Sequence, residues 1–528
     1  MAPREPSESG KPGGAAVAAV AVLTLAACAL RFPSVGRSLW LDEAWRANIA
    51  LAPTWEAFWN AVLGAGGGGI GAPMPPLFAL ALRAVGAVVD HSAAGMRALP
   101  VLASIAAVPL AWVIGRRAAG TWAGLAAALL FAATPTTLLH GQELKQYSTD
   151  IAMVLLLLAA ASAVAARPAS ARAWRRLVIT EALAPGLAYP TALTLPGIAL
   201  ATLAACRTSA DRIRWLAAHA ASWLAALLWY ALVIGPQRDR PLVAAYWAAD
   251  FPPMEGVPGL PWVWDQLLDV VRYCSGEPPR LALLLAICGF LASARWLGIA
   301  ALGSVATLIA AAAWRVYPLS GGRTSVFLLP LLYLGIAGAV GAGAALATRR
   351  DVQTALTAAV ALVAALVVGG MVVRGVRSPQ AGLVYEETAP LIATLERERQ
   401  PNDKVYVYDG AVQAFRFHRP ASDAAVTFGG SHRHDQTKYA AELRPLLVPG
   451  QRLWLLFAHV HVPKSGRPER DTILADVAIA GRQIARHDAP GASLHLFEIT
   501  RAPGEVRHLK LTPEDLKNPE RMKELFGR

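Results

Sequence analysis

Three short clusters in this 528-residue chain carry side chains whose types and spacing could do chemistry. The first is Ser38-Leu39-Trp40-Leu41-Asp42-Glu43-Ala44-Trp45-Arg46. Two adjacent carboxylates stand between tryptophans, and tryptophan favours the membrane–water interface. A carboxylate held there, partly shielded from water, can act as a general base. A solvated turn with interfacial anchors would use the same residues. The second cluster is His140-Gly141-Gln142-Glu143-Leu144-Lys145-Gln146-Tyr147-Ser148. Glu143 supplies another carboxylate, and Lys145 and Tyr147 could bind an anionic group; the bland alternative is a polar loop. In the third, Tyr317-Pro318-Leu319-Ser320-Gly321-Gly322-Arg323-Thr324-Ser325, Arg323 offers a planar fork of donors suited to phosphate. Gly321-Gly322 would let backbone approach a ligand closely. A plain turn with an interfacial arginine is the alternative. Asp42, Glu43 and Glu143 are the candidate catalytic residues. Lys145, Tyr147, Arg323, Tyr317 and Arg46 are the candidate substrate-binding residues.

Other features carry less. His432-x-His434-Asp435 and His459-x-His461 would each put two imidazoles on one face of a strand, a chelating arrangement. Nothing in the sequence brings the pairs together, so a surface or structural role is the expectation. No metal ligand and no cofactor is assigned, and a divalent metal stays open. The glycine run at 66–69 lacks the spacing of a nucleotide-binding loop. The four cysteines form no CxxC pair, which points to neither a zinc site nor a disulfide framework. Cys274 is expected in a loop.

The elements that must position these clusters are visible in the composition. Hydrophobic residues make up 55% of the chain and charged residues 16%, against roughly 45–50% and 25% in soluble proteins. That excludes a disordered chain, a coiled coil and a small disulfide scaffold. The apolar residues come in runs, and a membrane helix needs about 20 of them. Eleven spans are expected, at 15–30, 98–114, 122–139, 151–166, 177–188, 191–205, 215–234, 281–294, 296–313, 326–347 and 354–373. The fifth and sixth are short. The first is read as an uncleaved span, since it leads straight into Phe32-Pro33 and a Trp-rich loop. Segment 73–89 is expected to lie along the membrane.

The net charge of +13 fits this picture better than nucleic-acid binding. With 73–89 not spanning, the arginines at 116/117, 167/172/175/176, 207/212/214, 295 and 349/350 all fall in short breaks on one side. Positive charge in short loops marks the cytoplasmic face. The expected domains are a cytoplasmic tail at 1–14, a membrane domain at 15–375 with an outer loop at 31–97, an extracytoplasmic α/β domain at 376–500, and a polar tail at 501–528. In the α/β domain a helix is expected at 391–399 and strands at 404–408, 452–457 and 493–499. Thr512-Pro513-Glu514-Asp515 reads as a helix start.

Together the three clusters on a polytopic chain resemble the membrane glycosyltransferases of the GT-C superfold. The bacterial family-39-like group, related to protein O-mannosyltransferases and lipid A aminoarabinose transferases, looks most similar. The resemblance covers about residues 15–375. It is carried by Leu41-Asp42-Glu43, Pro73-Met74-Pro75-Pro76-Leu77-Phe78, Arg97-Ala98-Leu99-Pro100 and Gln142-Glu143-Leu144-Lys145-Gln146-Tyr147-Ser148. It implies a GT-C-like fold in the cytoplasmic (inner) membrane, so the expected fold class is a polytopic α-helical membrane protein of about 11 spans with the C-terminal soluble α/β domain read above. It implies a polyprenyl-phosphate-linked sugar as donor, an envelope glycan, lipid or protein as acceptor, and a site at the outer face. By resemblance Asp42 is the base, Glu43 sits beside it, Glu143 matches the second acidic position, and Lys145, Tyr147 and Arg323 hold the phosphate. The chain departs from the pattern at Lys145, where relatives often have Arg, and at Pro73-Met74, which lacks a basic or His residue before Pro-Pro-Leu. A polytopic transporter or lipid-sugar flippase is the alternative, though few ionisable residues (Glu181 chief among them) fall within the expected spans. A non-catalytic partner presenting its outer domain is a third reading.

Overall fold

The computed structural model describes residues 13–63, 74–89, 91–238, 247–253, 259–276, 278–346, 352–419, 423–433, 437–463 and 466–502. The chain forms two compact units: Met1–Arg37 with Trp45–Val384, and Ser38–Ala44 with Tyr385–Arg528.

The first unit is helical. Among the described residues seven helices are long and apolar enough to cross a membrane, or up to nine if two bent pairs each count as one span. At 1.5 Å per residue such helices match the roughly 30 Å hydrocarbon core, and the chain is a multi-pass membrane protein. The expected run 122–139 is one of the bent pairs: Thr121–Ala133 and Pro135–Gly141 meet at 53°. Pro135 cannot donate to the preceding turn, so the helix breaks. The expected fifth and sixth spans lie in the shorter helices Ala171–Leu187 and Tyr189–Leu203. Segment 73–89 forms the short apolar helix Pro76–Val88; Pro73 and the 66–69 glycines lie outside the described residues. Cys274 is not in a loop. It is buried in the amphipathic helix Leu260–Ser275, against the helix break.

Small residues let the helices touch backbone to backbone, the usual device where lipid removes the hydrophobic drive between helices. A Cβ on Gly289 would lie 1.7 Å from the carbonyl oxygen of Gly335, and one on Gly197 2.4 Å from that of Ala300. Helices Ala98–Ala119 and Thr121–Ala133 are separated by Gly120 alone, at φ +89, a conformation glycine adopts without steric cost.

The second unit carries a five-stranded sheet of order β2-β1-β3-β5-β4. Its strands are β1 (Lys404–Val407), β2 (Val426–Phe428), β3 (Arg452–Ala458), β4 (Gly481–Ala489) and β5 (Ala492–Ile499). β2, β1 and β3 are parallel, while β5 is antiparallel to both β3 and β4. Alternate residues feed two cores. Tyr406, Leu453, Leu455 and Phe497 join helices Thr437–Leu443 and Glu469–Ala480 on one face. Val405, Trp454, Leu456 and Leu494 join Thr388–Glu398 and Val412–His418 on the other. Both faces are covered, so β1 and β3 read as continuous apolar runs.

Candidate active site

Asp42 and Glu43 open the helix Leu41–Ala50. Ser38–Ala44 belongs to the same compact unit as the C-terminal sheet, and four acceptors there fix its geometry. Glu386 Oε2 accepts from the Leu41 N–H at 3.0 Å. Glu387 Oε2 accepts from the Ser38 N–H at 3.2 Å and from its hydroxyl at 2.9 Å. Ser38 Oγ in turn accepts from the Ala389 N–H at 3.1 Å. Glu43 Oε2 reaches back to the Trp40 N–H at 3.4 Å, the reciprocal contact of a helix N-terminus. Carboxylates here also oppose the positive end of the helix dipole. Glu43 is fully buried, whereas Asp42 is half-buried. Of the two adjacent carboxylates, Glu43 therefore holds the helix start, and Asp42 keeps a face toward solvent.

Behind this segment, His459 Nδ1 lies 2.7 Å from Glu386 Oε1, and its ring stacks on Trp40 with centroids 6.1 Å apart. The Glu386 carboxylate raises the His459 pKa above its ordinary value, against the effect of burial; Asp42 pushes the same way and Arg433 opposes. His459 does not sit on a strand beside His461. It leaves the end of β3 at φ +50, so the two imidazoles do not share a strand face. His434 and Asp435 lie outside the described residues. Among the described residues no group of three or more His, Cys, Asp or Glu is placed to hold a metal ion.

The other candidates belong to the helical unit. The 140–148 segment is pinned from several sides. Gln142 Nε2 donates to the carbonyls of Leu138 and Pro379, both at 2.8 Å; Ser34 donates to Gln142 Oε1; Arg37 donates to the Gln142 carbonyl at 2.7 Å. Arg97 donates to the carbonyls of Val35 at 2.7 Å and Arg37 at 2.6 Å, and Ser148 to that of Pro100 at 2.8 Å. The break at Pro135 frees carbonyls that buried Arg31 collects. Its guanidinium donates to those of Ala27, Phe131, Ala132 and Thr137, and to Ser104 Oγ at 2.8 Å. This supplies the partners that a buried polar group requires.

Within this frame Glu143 Oε2 lies 3.3 Å from His140 Nδ1, and His140 Nε2 lies 2.9 Å from the Tyr273 hydroxyl. The His140 and Tyr147 rings meet edge to face at 4.9 Å. Tyr273 interacts electrostatically with Glu143, Tyr147 and Arg323, so it links the second and third clusters. The tight turn at Glu143–Lys145 is closed by a 2.8 Å backbone bond, and Lys145 is buried. Arg323 lies 6.0 Å from the Trp247 ring. Tyr317 donates to the Thr324 carbonyl at 2.8 Å, which makes it a brace of that loop. Arg46 is buried, three residues beyond Glu43 on the same helix.

The sequence did not single out Tyr273, Glu386 or Glu387. Glu386-Glu387 does repeat the adjacent-carboxylate pattern of Asp42-Glu43, but its backbone partners are more than 340 positions away. Glu181 is the chief ionisable residue within the expected spans. It is buried 3.2 Å from His219, whose Nε2 lies 3.0 Å from Thr202 Oγ1.

A broken-helix membrane unit with a C-terminal α/β sheet defines the fold class: this is the GT-C membrane fold. Two solved structures of ArnT from Cupriavidus metallidurans share it. The apo form has TM-score 0.52 and 13% identity, and the form bound to undecaprenyl phosphate has TM-score 0.53 and 13% identity. Each alignment covers 92% of this chain and 98% of that one. The archaeal oligosaccharyltransferase AglB from Archaeoglobus fulgidus, in complex with an inhibitory peptide and a dolichol-phosphate, matches with TM-score 0.50 and 12% identity over 94% of this chain and 75% of that one. No protein-family profile and no curated protein sequence matches.

Proposed function

We propose that this chain is an integral membrane glycosyltransferase. It moves a sugar from a polyprenyl-phosphate donor to an acceptor hydroxyl at the outer face of the cytoplasmic membrane. The observation that carries the reading is Asp42, half-buried at the start of a helix whose first amides are held by Glu386 and Glu43. A fold shared with structures that bind undecaprenyl phosphate or dolichol-phosphate supports the donor class.

Asp42 takes the proton from the acceptor hydroxyl, and that oxygen attacks the sugar's anomeric carbon. The bond to the lipid phosphate breaks, and polyprenyl phosphate leaves with the bonding electrons. Direct displacement with one base inverts the anomeric centre. Lys145, Arg323 and Tyr147 meet the charge that grows on the phosphate, with Arg46 and Tyr317 shaping the binding surface. Such fixed donors act most strongly where charge develops in the transition state. Glu143, held by His140, supports this cationic set.

The test is sugar transfer by the purified full chain in lipid nanodiscs. Asp42→Asn is expected to lower kcat by roughly 10²–10⁴-fold, the usual scale of a lost general base, with normal insertion and thermal stability. Unchanged transfer would contradict the assignment. Transport that survives Asp42→Asn and Glu143→Gln would favour a transporter instead.

A further inference from the structure

The C-terminal sheet has a crevice of its own. β2, β1 and β3 run parallel, so their carboxyl ends open on one edge, the edge at which open α/β sheets take ligands. A cavity of about 330 Å³ lies there, lined by Glu386, Arg433, His459, Val460, His461 and Val462. That volume falls within the range of small-molecule sites.

The lining is built from chain ends brought together at some cost. His459 is a non-glycine residue in the left-handed region, at φ +50, a conformation that persists only where its surroundings hold it. Glu386 and Trp40 do so. The turn after β1 comes so close to the turn after β3 that a Cβ on Gly410 would lie 2.4 Å from the Ala458 carbonyl oxygen.

Its lining carries both signs of charge, and the cation is exposed. The Glu386 carboxylate is engaged by the Leu41 N–H and by His459. Arg433 is exposed and interacts electrostatically with His459 and Asp409. Among the described residues no hydrogen bond or ion pair at contact distance engages its guanidinium. An exposed arginine fork beside imidazoles can recognise a carboxylate or a phosphate. The wall of this crevice also interacts electrostatically with Asp42, through His459.

We propose that the crevice is the acceptor subsite and that it takes an anionic sugar. Arg433 holds the carboxylate or phosphate, His461 and the Glu386–His459 pair receive ring hydroxyls, and one hydroxyl is left for Asp42. The word acceptor rests on the transferase reading; the binding does not.

Binding without donor separates the two. The full chain in nanodiscs is titrated with glucuronate, glucose 1-phosphate and glucose by calorimetry. At least one anionic sugar should bind tenfold or more tighter than glucose, and which one does so tells carboxylate from phosphate. Arg433→Gln should weaken that binding about tenfold, and Arg433→Lys should weaken it less. Arg433 is exposed, so both variants should unfold at the wild-type temperature. Equal binding of all three sugars, no binding, or anion binding unaffected by Arg433→Gln would overturn the subsite while leaving the role of Asp42 standing.

Discussion

Asp42 and Glu43 are neighbours in sequence and unequal in structure. Glu43 is buried against the Trp40 amide, and Asp42 is half-buried. Residue type and spacing alone made both of them candidates; the capping contact that separates them was hidden because it depends on where the helix begins. Glu386 was harder still. Its partners are a backbone amide at Leu41 and an imidazole at His459, and neither contact leaves a local pattern. This pair has a consequence for pH. His459 has its pKa raised in the folded chain, first by the hydrogen bond to Glu386. A raised folded value adds stability that is fully present below the ordinary histidine value of about 6.5 and is lost as pH rises through the raised value. Thermal unfolding of the full chain should therefore show a fall in stability above about pH 6.5 that flattens in Glu386→Gln and in His459→Gln. Identical slopes in wild type and both variants would show that the pair does not couple to folding.

At the scale of elements, legibility followed hydrophobic burial. β1, β3 and β5 are apolar, and their expected bounds lie within one residue of the observed ones. β4 (Gly481–Ala489) is an edge strand carrying Arg, Gln and His, mostly exposed and with no buried position, and its polar sequence hides it. Polar edge strands resist unwanted pairing, so the property that protects β4 also conceals it. β2 has three residues and offers too little pattern. In the membrane unit the apolar runs gave helices, while their breaks needed tertiary facts: Arg31 collecting the carbonyls at the Pro135 kink is one. Packing by small residues gives an element-scale prediction. Gly289→Ala would place a methyl group 1.7 Å from the Gly335 carbonyl oxygen, so helices Pro279–Ala292 and Leu329–Leu346 must separate. The expected loss is about 1–3 kcal/mol, the range of overpacked cores, seen as a lower unfolding temperature. Gly298→Ala, whose added Cβ meets nothing closer than 3.7 Å, should change it little. Equal effects of the two substitutions would count against this packing.

At the scale of the whole molecule, the distribution of basic residues is a statement about sidedness. By the positive-inside rule the arginine-rich breaks are expected on the cytoplasmic side, with the Asp42 segment and everything after Arg377 expected outside. A reporter active only outside the cytoplasm, fused after Arg377, should be active; an inactive fusion would reverse the orientation and remove the outer-face site. The fold was legible from segmentation because long apolar runs dominate it. The division into units was less so: Ser38–Ala44 belongs with the C-terminal sheet although 340 residues intervene, and no sequence pattern joins them. The most direct test of the account is a structure of the full chain with a polyprenyl-phosphate-linked sugar bound. The lipid phosphate is expected on Lys145 and Arg323, with the anomeric carbon facing Asp42. A phosphate bound away from both cations, or a sugar held in the interior of the helical unit out of reach of Asp42, would contradict it.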